Sequence, residues 1–571
     1  MSTDPITLEL VKNSIESVVD EMALTIMRTA YSQNLKSSND LSGALCSLSG
    51  ELYAQSFTLP MQIGSIPDAM DAVLAKFGGN LREGDVIILN DPYEGGTHLP
   101  DIFLIKPLFL GGAHVAYTAT IAHHTDIGGR VAGGNASDST EIYQEGLRIP
   151  PLKLYDVGRP NEAVFDIIER NVRVPDNLMG DLRAQLAAIH VGERGVNELV
   201  SRWGQTELFT ALDELMAYTE RLARAEISRW PDGDYTFTDY IDDDGLDPDP
   251  IPIQATVTVR GDSLHVDYSG TAPQVRGAIN ATGSFARSAV YACVRGLMDA
   301  GIPNNGGYFR PITVHVPEGT VINPHLPAPV AARGLTGFRM ANALYGALAK
   351  LAPDRVPACE SGGDTGITIG GYYADRRPFV FLEFLHGSWG GRPDQDGIDG
   401  CSSAVANFSN NPIEQIEAEQ PLRIEQYAYV TDSGGAGEHR GGLAMVREYR
   451  FLEREGALQL RTDRLLYQPW GLAGGKPGMP SRNILIQGGE ERPTTSKGYY
   501  TLGDGDLLRH YLAGAGGHGD PMQREPRLVA EDVRDGKVSV QAAHDEYGVV
   551  LDASGQVSQE ETAALRAARQ P

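Results

Sequence analysis

The stretch Asn90–Gly129 constrains the fold of this chain more than any other part of the sequence. It contains two apolar runs rich in β-branched and aromatic residues, Ile102–Leu110 and Val115–Ile121. The segment Gly111–His114 joins the two runs, and a short glycine-containing connection of this kind is typical of a β-hairpin. We therefore predict two antiparallel strands that meet at this turn.

Polar residues cluster at the open end of the predicted hairpin. His98 and Asp101 come just before the first run, and His123, His124 and Asp126 follow the second. An antiparallel hairpin places the start of its first strand beside the end of its second, so these side chains become neighbours. Because two imidazoles with a carboxylate suit Zn, Mn or Fe, the sequence predicts a metal site at the hairpin mouth.

The neighbouring residues His123 and His124 cannot easily face the same site. Successive side chains of a strand point to opposite faces of the sheet. We expect one of them to bind the metal. The other would support a metal-binding side chain through a hydrogen bond or act as an acid–base group. The alternative is that these histidines lie at the surface, or are hydrogen-bonded in the core, without any metal.

Charge and hydropathy exclude several classes of partner. The net charge is −27 with no run of Lys and Arg, so a nucleic acid or an anionic membrane would be repelled. The longest apolar run, Ile102–Leu110, is far too short to cross a bilayer.

The N-terminus has the pattern of an acidic amphipathic helix rather than a signal peptide, and the four cysteines are scattered without a CxxC motif. We expect a reduced, cytoplasmic protein.

The chain is too long for a single hydrophobic core, since it has 571 residues. The expected fold class is α+β and multi-domain, β-rich with glycine-rich loops, with a helical region around residues 160–230. We predict a metal-binding catalytic domain over residues 1–235, a middle α+β domain over 236–423, and a β-rich C-terminal domain over 424–571.

Local patterns predict several elements of the first domain. Asp4 and Pro5 predict the start of a helix that runs to about Tyr31. Asp40 lies at the mouth of a second, shorter hairpin, where a single aspartate is most often a turn cap. Residues 178–227 are predicted as helical, with breaks near Gly192–Gly195 and at Gly204.

No familiar phosphate-binding loop is found in the sequence. The segment Gly471–Pro477 lacks the spacing and the Ser or Thr of a P-loop, and no GxGxxG opens a helix after a strand. The segment Gly387–Gly390 is one residue too short for a GxSxG nucleophile elbow. The chain is therefore not expected to bind a nucleotide through such a loop.

The residues around the predicted hairpin resemble the signature of a known family, the hydantoinase B/oxoprolinase family. The similar segments are Asn90-Asp-Pro-Tyr-Glu-Gly-Gly-Thr-His98-Leu-Pro-Asp101 and, after the hairpin, His123-His124-Thr-Asp126-Ile-Gly-Gly. Further segments similar to the family are Asp267–Gly270, Val316–Pro324, Gly390–Arg392 and Gly516–Pro521. The family includes B subunits of ATP-dependent N-methylhydantoinases, the C-terminal half of 5-oxoprolinases, ATP-dependent lactamases, and the metal-bearing subunits of acetone and acetophenone carboxylases.

The resemblance implies a division of labour between two subunits. A hydantoinase A-type ATPase subunit phosphorylates the substrate and forms a heteromer, α2β2, with the B subunit, which would explain the missing phosphate loop. The resemblance implies that the B subunit provides a divalent metal, which the carboxylases of the family hold on a His-x-x-Asp motif and a later His that map to His98, Asp101 and His123. We expect Asp40 to supply a fourth, carboxylate ligand, and His124 or Asp126 to move the proton during attack on the activated amide.

The resemblance also implies the substrate class. The chain length is closer to hydantoinase and lactamase subunits than to carboxylase subunits, so we expect ATP-dependent ring opening of a small cyclic amide: a lactam, a hydantoin or 5-oxoproline. One alternative is the metal-bearing subunit of an ATP-dependent ketone carboxylase. Two others are a non-catalytic scaffold for the ATPase and a hydrolase that works without a partner.

Overall fold

The computed structural model of the chain describes residues 3–362 and 365–569. Within these ranges the α-helices are α1 (Pro5–Thr29), α2 (Gln33–Lys36), α3 (Pro60–Ile63), α4 (Ile66–Phe77), α5 (Glu162–Asn171), α6 (Pro175–Trp203), α7 (Gln205–Ile227), α8 (Gly283–Leu297), α9 (Arg333–Leu351), α10 (Ile413–Glu419), α11 (Pro526–Arg534), α12 (Val540–Tyr547) and α13 (Gln559–Arg569). Short 3-10 helices lie at Gly78–Asn80, Ala132–Gly134, Ile142–Gln144, Gly306–Phe309 and Pro521–Gln523.

The strands alternate with these helices and confirm the predicted α+β class. In chain order they are β1 (Leu41–Cys46), β2 (Leu52–Gln55), β3 (Val86–Leu89), β4 (Asp101–Leu110), β5 (Ala113–His123), β6 (Leu152–Asp156), β7 (Arg159–Pro160), β8 (Gly233–Ile241), β9 (Ile251–Arg260), β10 (Ser263–Asp267), β11 (Ile312–His315), β12 (Thr365–Tyr372), β13 (Pro378–Leu385), β14 (Leu422–Tyr429), β15 (Met445–Phe451), β16 (Gly456–Arg461), β17 (Arg482–Gln487), β18 (Glu490–Pro493), β19 (Lys497–Leu502) and β20 (Leu507–Tyr511). No helix in the described part of the chain is both long and apolar enough to cross a membrane.

An antiparallel sheet of seven strands, in the order β2-β1-β5-β4-β3-β6-β7, contains the predicted hairpin. The hairpin strands β4 and β5 are longer than their apolar runs, because the pairing continues outward to Asp101 opposite His123. The strand β1 pairs with the other edge of β5 and places Leu41 opposite Ala122. The sheet therefore brings three chain segments together at one end.

The helices α1, α6 and α7 cover one face of this sheet. The carboxylate of Asp4 caps α1 as predicted, by accepting the backbone N–H groups of Ile6 and Thr7. The predicted break near Gly192–Gly195 is wrong, since α6 runs through it without interruption and ends at Gly204. A Cβ at Gly192 would lie 2.5 Å from Sδ of Met22, so this glycine permits close helix packing rather than a bend.

A second sheet, in the order β11-β10-β9-β8, forms the middle of the chain together with α8 and α9. The helix α9 is buried along almost its whole length, from Arg333 to Leu351. The N-terminal end of α9 points back toward the mouth of the β4–β5 hairpin, because Arg333 contacts Asp101 there. The middle of the chain thus contributes to the same place as the first sheet.

Two further sheets make up the remaining β structure, in the orders β13-β12-β16-β19 and β14-β15-β20-β17-β18. They share an apolar core that includes Phe381, Tyr449 and Leu460. The strands β12 and β13 come before the predicted boundary at residue 423, yet β12 pairs with β16, which follows it. The other predicted boundary, at residue 235, falls near the start of β8. The three-way division of the chain stays a prediction.

Candidate metal centre

His98, Asp101 and His123 meet at the mouth of the β4–β5 hairpin. One ligand atom from each side chain can be chosen so that all three lie within 4.8 Å of one another. Nε2 of His98 is 3.4 Å from Oδ1 of Asp101, and the two imidazole ring centres are 4.9 Å apart. The pairing of Asp101 with His123 across the hairpin produces this convergence, and the tight turn from His98 to Asp101 adds the second imidazole.

The atoms that face one another in this cluster have no hydrogen-bond partner among the described residues. They are Nε2 of His98, Oδ1 of Asp101 and Nε2 of His123, and all three side chains are buried. Leaving a buried polar atom unpaired costs about 1–3 kcal/mol, so three such atoms aimed at one point call for a shared ligand. Two imidazole nitrogens and a carboxylate oxygen are a donor set that fits a divalent transition metal.

Neighbouring groups orient each of the three side chains. Nδ1–H of His98 donates to the carbonyl oxygen of Ala331 at 3.0 Å, which leaves the lone pair on Nε2. Oδ2 of Asp101 accepts hydrogen bonds from Thr97 and Arg333, which leaves Oδ1 facing the imidazoles. The carboxamide of Asn34 lies 3.4 Å from Nδ1 of His123.

The electrostatic environment keeps all three groups in the protonation state that binds a metal. Burial lowers the pKa of His98, and the charge of Arg333 lowers it further. Burial, together with the neighbouring His98 ring, holds the pKa of His123 well below its usual range. Burial alone would raise the pKa of Asp101, but the charge of Arg333 holds that pKa well below its ordinary value. Neutral imidazoles and an ionised carboxylate are the ligating forms.

Asp40, predicted as a fourth ligand, lines the same cavity as His98 and His123. It directly precedes β1, and its carbonyl oxygen accepts the backbone N–H of His123 at 3.0 Å. One oxygen of its carboxylate accepts a hydrogen bond from Nε2 of Gln62 at 2.7 Å. The structure brings Asp40 to the site through the pairing of β1 with β5, and its role as a ligand stays a prediction.

His124 and Asp126 are not brought into the cavity. His124 points to the opposite side of the sheet from His123, where its Nε2 lies 3.0 Å from Oε1 of Gln185 on α6. Asp126 is buried in an ion pair with Arg173 at 3.0 Å and also accepts the backbone N–H of Gly133. These contacts fasten the segment that follows β5, so the predicted role of both residues in moving a proton has no support from their placement.

Aromatic and cationic side chains complete the cavity. Among the described residues its lining includes Asp40, Leu59, Met61, His98, His123, Phe285, Ala331, Arg333, Gly334, Phe338, Phe384, Phe408 and Arg461. The space open to a water-sized molecule is about 30 Å³, enough for a small ion or a water. A ring-sized substrate can therefore enter only if part of this lining moves.

Thr97, Arg333 and Arg461 were not predicted from the sequence. A signal for Arg333 was present, because it is the first residue of an otherwise largely apolar helix, where the helix dipole disfavours a cation. A cation in that position needs a carboxylate partner, and Asp101 provides it. For Arg461 the sequence offers only its place at the end of a strand, so no local pattern indicated its role.

Comparison with known proteins gives consistent matches. A family model described as hydantoinase B/oxoprolinase matches residues 4–521. The beta subunit of caprolactamase from Pseudomonas jessenii is 35% identical, over 99% of this chain and 100% of its own length. The B subunit of a putative D-/L-hydantoinase from Pseudomonas sp. (strain NS671) is 34% identical, over 99% and 98%. The crystal structure of ATP-dependent caprolactamase from Pseudomonas jessenii matches with a TM-score of 0.92 at 34% identity, covering 99% of this chain and 100% of that chain.

Proposed function

Because the chain belongs to the hydantoinase B/oxoprolinase family, we propose that it is the metal-bearing subunit of an ATP-dependent cyclic amide hydrolase. Its substrate would be a lactam, a hydantoin or 5-oxoproline, activated by phosphorylation on a separate ATPase subunit. The relatives named as hydantoinase and caprolactamase subunits support this reaction class. The observation that carries the metal-dependent part is the convergence of three buried, unpartnered ligand atoms at the hairpin mouth.

The proposed metal ligands are His98, Asp101 and His123, with Asp40 as the fourth. This mixed set of nitrogen and oxygen donors suits Zn or Mn, and Fe is also compatible with it. A divalent ion at this position would lower the pKa of a water ligand and polarise the oxygen of an activated amide. The side chains around it would then determine which molecules reach that water.

The chain's own residues prepare this site in three ways. Arg333 and Thr97 hold the carboxylate of Asp101, so that only one of its oxygens is directed toward the imidazoles. Aromatic walls that include Phe285 and Phe384 exclude bulk water, which strengthens every electrostatic interaction inside the cavity. His124 and Asp126 fasten the backbone on either side of Thr125. We propose that they position His123 rather than contact the substrate.

The need for ATP follows from the stability of the amide bond. An amide carbonyl is stabilised by resonance and its nitrogen is a poor leaving group, so water attacks it slowly. Phosphorylation of the amide oxygen removes that resonance, and the sequence of this chain offers no phosphate loop for the step. Two of the relatives are named as subunits, which supports a partner; we propose that this partner is a hydantoinase A-type ATPase in an α2β2 heteromer.

The proposal is tested with this chain co-expressed with the ATPase subunit. A panel of lactams, hydantoins, 5-oxoproline and candidate ketones is scored for ring opening and for ATP consumption, in the presence of labelled bicarbonate. Coupled ring opening without incorporation of the label supports the hydrolase. Label retained in a product of a ketone substrate would instead identify a carboxylase, and turnover without ATP or partner would identify a self-contained hydrolase.

A pair of matched variants tests the metal in the same complex. His98→Ala removes a proposed ligand, whereas His190→Ala removes an exposed histidine on α6. We expect the bound metal and the turnover to be lost in the first variant and unchanged in the second. A metal-free complex in which His98→Ala keeps full activity would rule out the metal mechanism and favour the scaffold alternative.

A further inference from the structure

A groove lies along one face of the sheet β13-β12-β16-β19, next to the metal cavity. Its floor includes Thr368 of β12 and Gln459 of β16, which are paired across the two strands. Gln459 comes two residues before Arg461 of the metal cavity, so their side chains share a face and lie about 7 Å apart along the strand. Leu458 and Leu460 point the other way, into the apolar core. The groove has a volume of about 550 Å³, so it has room for a small ring, which the metal cavity lacks.

The carboxamide of Gln459 is buried without a partner. Gln459 is 2% exposed, and neither its Nε2 nor its Oε1 has a hydrogen-bond partner among the described residues. The same holds for the hydroxyl group of Thr368, which lies opposite Gln459 in the sheet and is 1% exposed. Buried polar groups without partners are costly, so this pair favours a ligand that brings a donor and an acceptor together.

The walls of the groove suit a flat, neutral ligand. Tyr499 lines the groove and pairs with Gln459 in the sheet, and it is 46% exposed, so its ring can pack against a flat molecule. Two of the four arginines in the described lining, Arg130 and Arg173, are ion-paired with Asp138 and Asp126, and two glutamates also line the groove. The charged residues of the lining therefore do not favour an anion.

A small cyclic amide presents the edge that a carboxamide can pair with. In a small ring the amide bond is held cis, so its N–H and C=O lie side by side on one edge. An open-chain secondary amide strongly prefers the trans form, in which the two groups point to opposite edges. A carboxamide also offers an N–H and a C=O side by side, so Gln459 can form two hydrogen bonds with a cis amide but only one with a trans amide.

We propose that Gln459 binds the amide edge of the free cyclic substrate in this groove. The hydroxyl group of Thr368 donates to the second lone pair of the ring carbonyl, and Tyr499 packs against the ring. Phosphorylation of the amide oxygen removes the N–H proton, so this pairing selects the substrate before its activation, and the groove is a point of entry beside the metal cavity. The inference rests on the proposed function, and it names the residue by which the subunit distinguishes cyclic amides from open-chain ones. Access to the buried carboxamide requires the side chains over it to move.

The test measures the binding of δ-valerolactam to the full chain by saturation-transfer difference NMR, with EDTA present so that no metal contributes. We expect Gln459→Met to raise the apparent Kd about tenfold, because two hydrogen bonds are lost. The unaltered chain should prefer δ-valerolactam about fivefold or more over its N-methyl derivative, which lacks the N–H, and over N-methylacetamide, which is trans. Gln459→Met should lose this preference.

Gln55 of β2 provides the matched control. It is a second buried glutamine whose amide has no partner among the described residues, but it belongs to the first sheet. Gln55→Met and Gln459→Met both replace an unpaired amide by an apolar side chain of the same length, so neither is expected to unfold the chain. Gln55→Met should bind δ-valerolactam as the unaltered chain does.

The outcomes separate this inference from the proposed function. Absence of binding, or equal binding by Gln459→Met and the unaltered chain, would overturn the inference. Displacement of the lactam by phosphate at equal concentration would also overturn it, because the groove would then be an anion site. Coupled ring opening by the co-expressed complex with an unchanged KM in Gln459→Met would overturn the inference and leave the proposed function standing. Binding that depends on Gln459, in a complex that opens no ring of the panel, would overturn the proposed function and leave the groove as a binding site for cyclic amides.

Discussion

Removal of the Asp101 carboxylate is the sharpest test of how the site is built. Asp101 is fully buried and Arg333 is 7% exposed, and the guanidinium donates directly to Oδ2 of the carboxylate. In Asp101→Asn the guanidinium cannot lose its proton, so it stays buried without its counter-charge. Breaking a buried ion pair at one end costs about 3–5 kcal/mol, and we expect a destabilisation of that size in the metal-free chain.

The reverse substitution, Arg333→Met, should cost less than Asp101→Asn. Without the arginine, burial raises the pKa of Asp101, so this side chain can become neutral by taking up a proton. The methionine also keeps an apolar contact with Phe285. The double variant has no buried charge at this position, so its destabilisation should be smaller than the sum of the two by about 1–3 kcal/mol.

The destabilisation of each variant is obtained from hydrogen exchange of β4 and β5 as the denaturant concentration is raised. The measured quantity is the shift in the denaturant concentration at which these strands lose protection, with EDTA present throughout. A local probe is needed because a chain with several domains does not unfold in a single step. Asp234→Asn is the matched control, since its ion pair with Arg260 is exposed and should contribute less than about 1 kcal/mol. Equal shifts for the two Asp→Asn variants, or strictly additive effects in the double variant, would refute the reasoning.

Three further predictions concern the same chain. In Gly96→Ala the added Cβ would lie 2.6 Å from the carbonyl oxygen of Asn90, so the turn before His98 must shift. We expect the affinity for Zn²⁺, measured by competition with a chelator, to fall by about 10-fold or more. Asp40→Asn should weaken Zn²⁺ binding by about 10–100-fold, and an unchanged affinity would show that Asp40 is not a ligand. Burial lowers the pKa of His386 and His510 to about 3. The unfolded chain binds a proton on each histidine below about pH 6.5, so the stability is retained above that pH and should fall by about 2 kcal/mol per histidine at pH 5. The same hydrogen-exchange probe, applied to β13 and β20 at pH 5 and above about pH 6.5, measures this change.

The central hairpin could be predicted from the sequence because its signals are local. Two apolar runs rich in β-branched and aromatic residues, a glycine turn and polar residues at both strand ends indicate the pairing, and the pairing determines which side chains meet. The structure confirms the hairpin and places Asp101 opposite His123. Because successive side chains of a strand point to opposite faces, we predicted that His123 and His124 lie on opposite sides of the sheet, as observed.

The features that could not be predicted from the sequence depend on contacts between distant segments. Gly192 looked like a helix breaker, but its missing side chain makes room for Met22 of another helix, and no local pattern distinguishes the two situations. Arg461 lies on β16, and Phe384 lies on β13, with β12 between these two strands. The β12 residue paired with both of them is Gly366, whose missing side chain leaves the space through which Arg461 reaches the cavity. Such a slot depends on three strands in register, which no single segment of the sequence reveals.

The start of α9 links the two proposed ligands of the His-x-x-Asp motif to the middle of the chain. The carbonyl oxygen of Ala331 fixes the tautomer of His98, and Arg333, two residues later, selects which oxygen of Asp101 faces the imidazoles. The carboxylate of Glu145 in turn accepts the backbone N–H groups of Val330 and Ala331. A displacement of this short segment therefore alters both ligands at once. If the movement that opens the cavity beside Arg333 displaces residues 330–333, it would also change the affinity for the metal, and we then expect metal binding and substrate entry to be coupled through this segment.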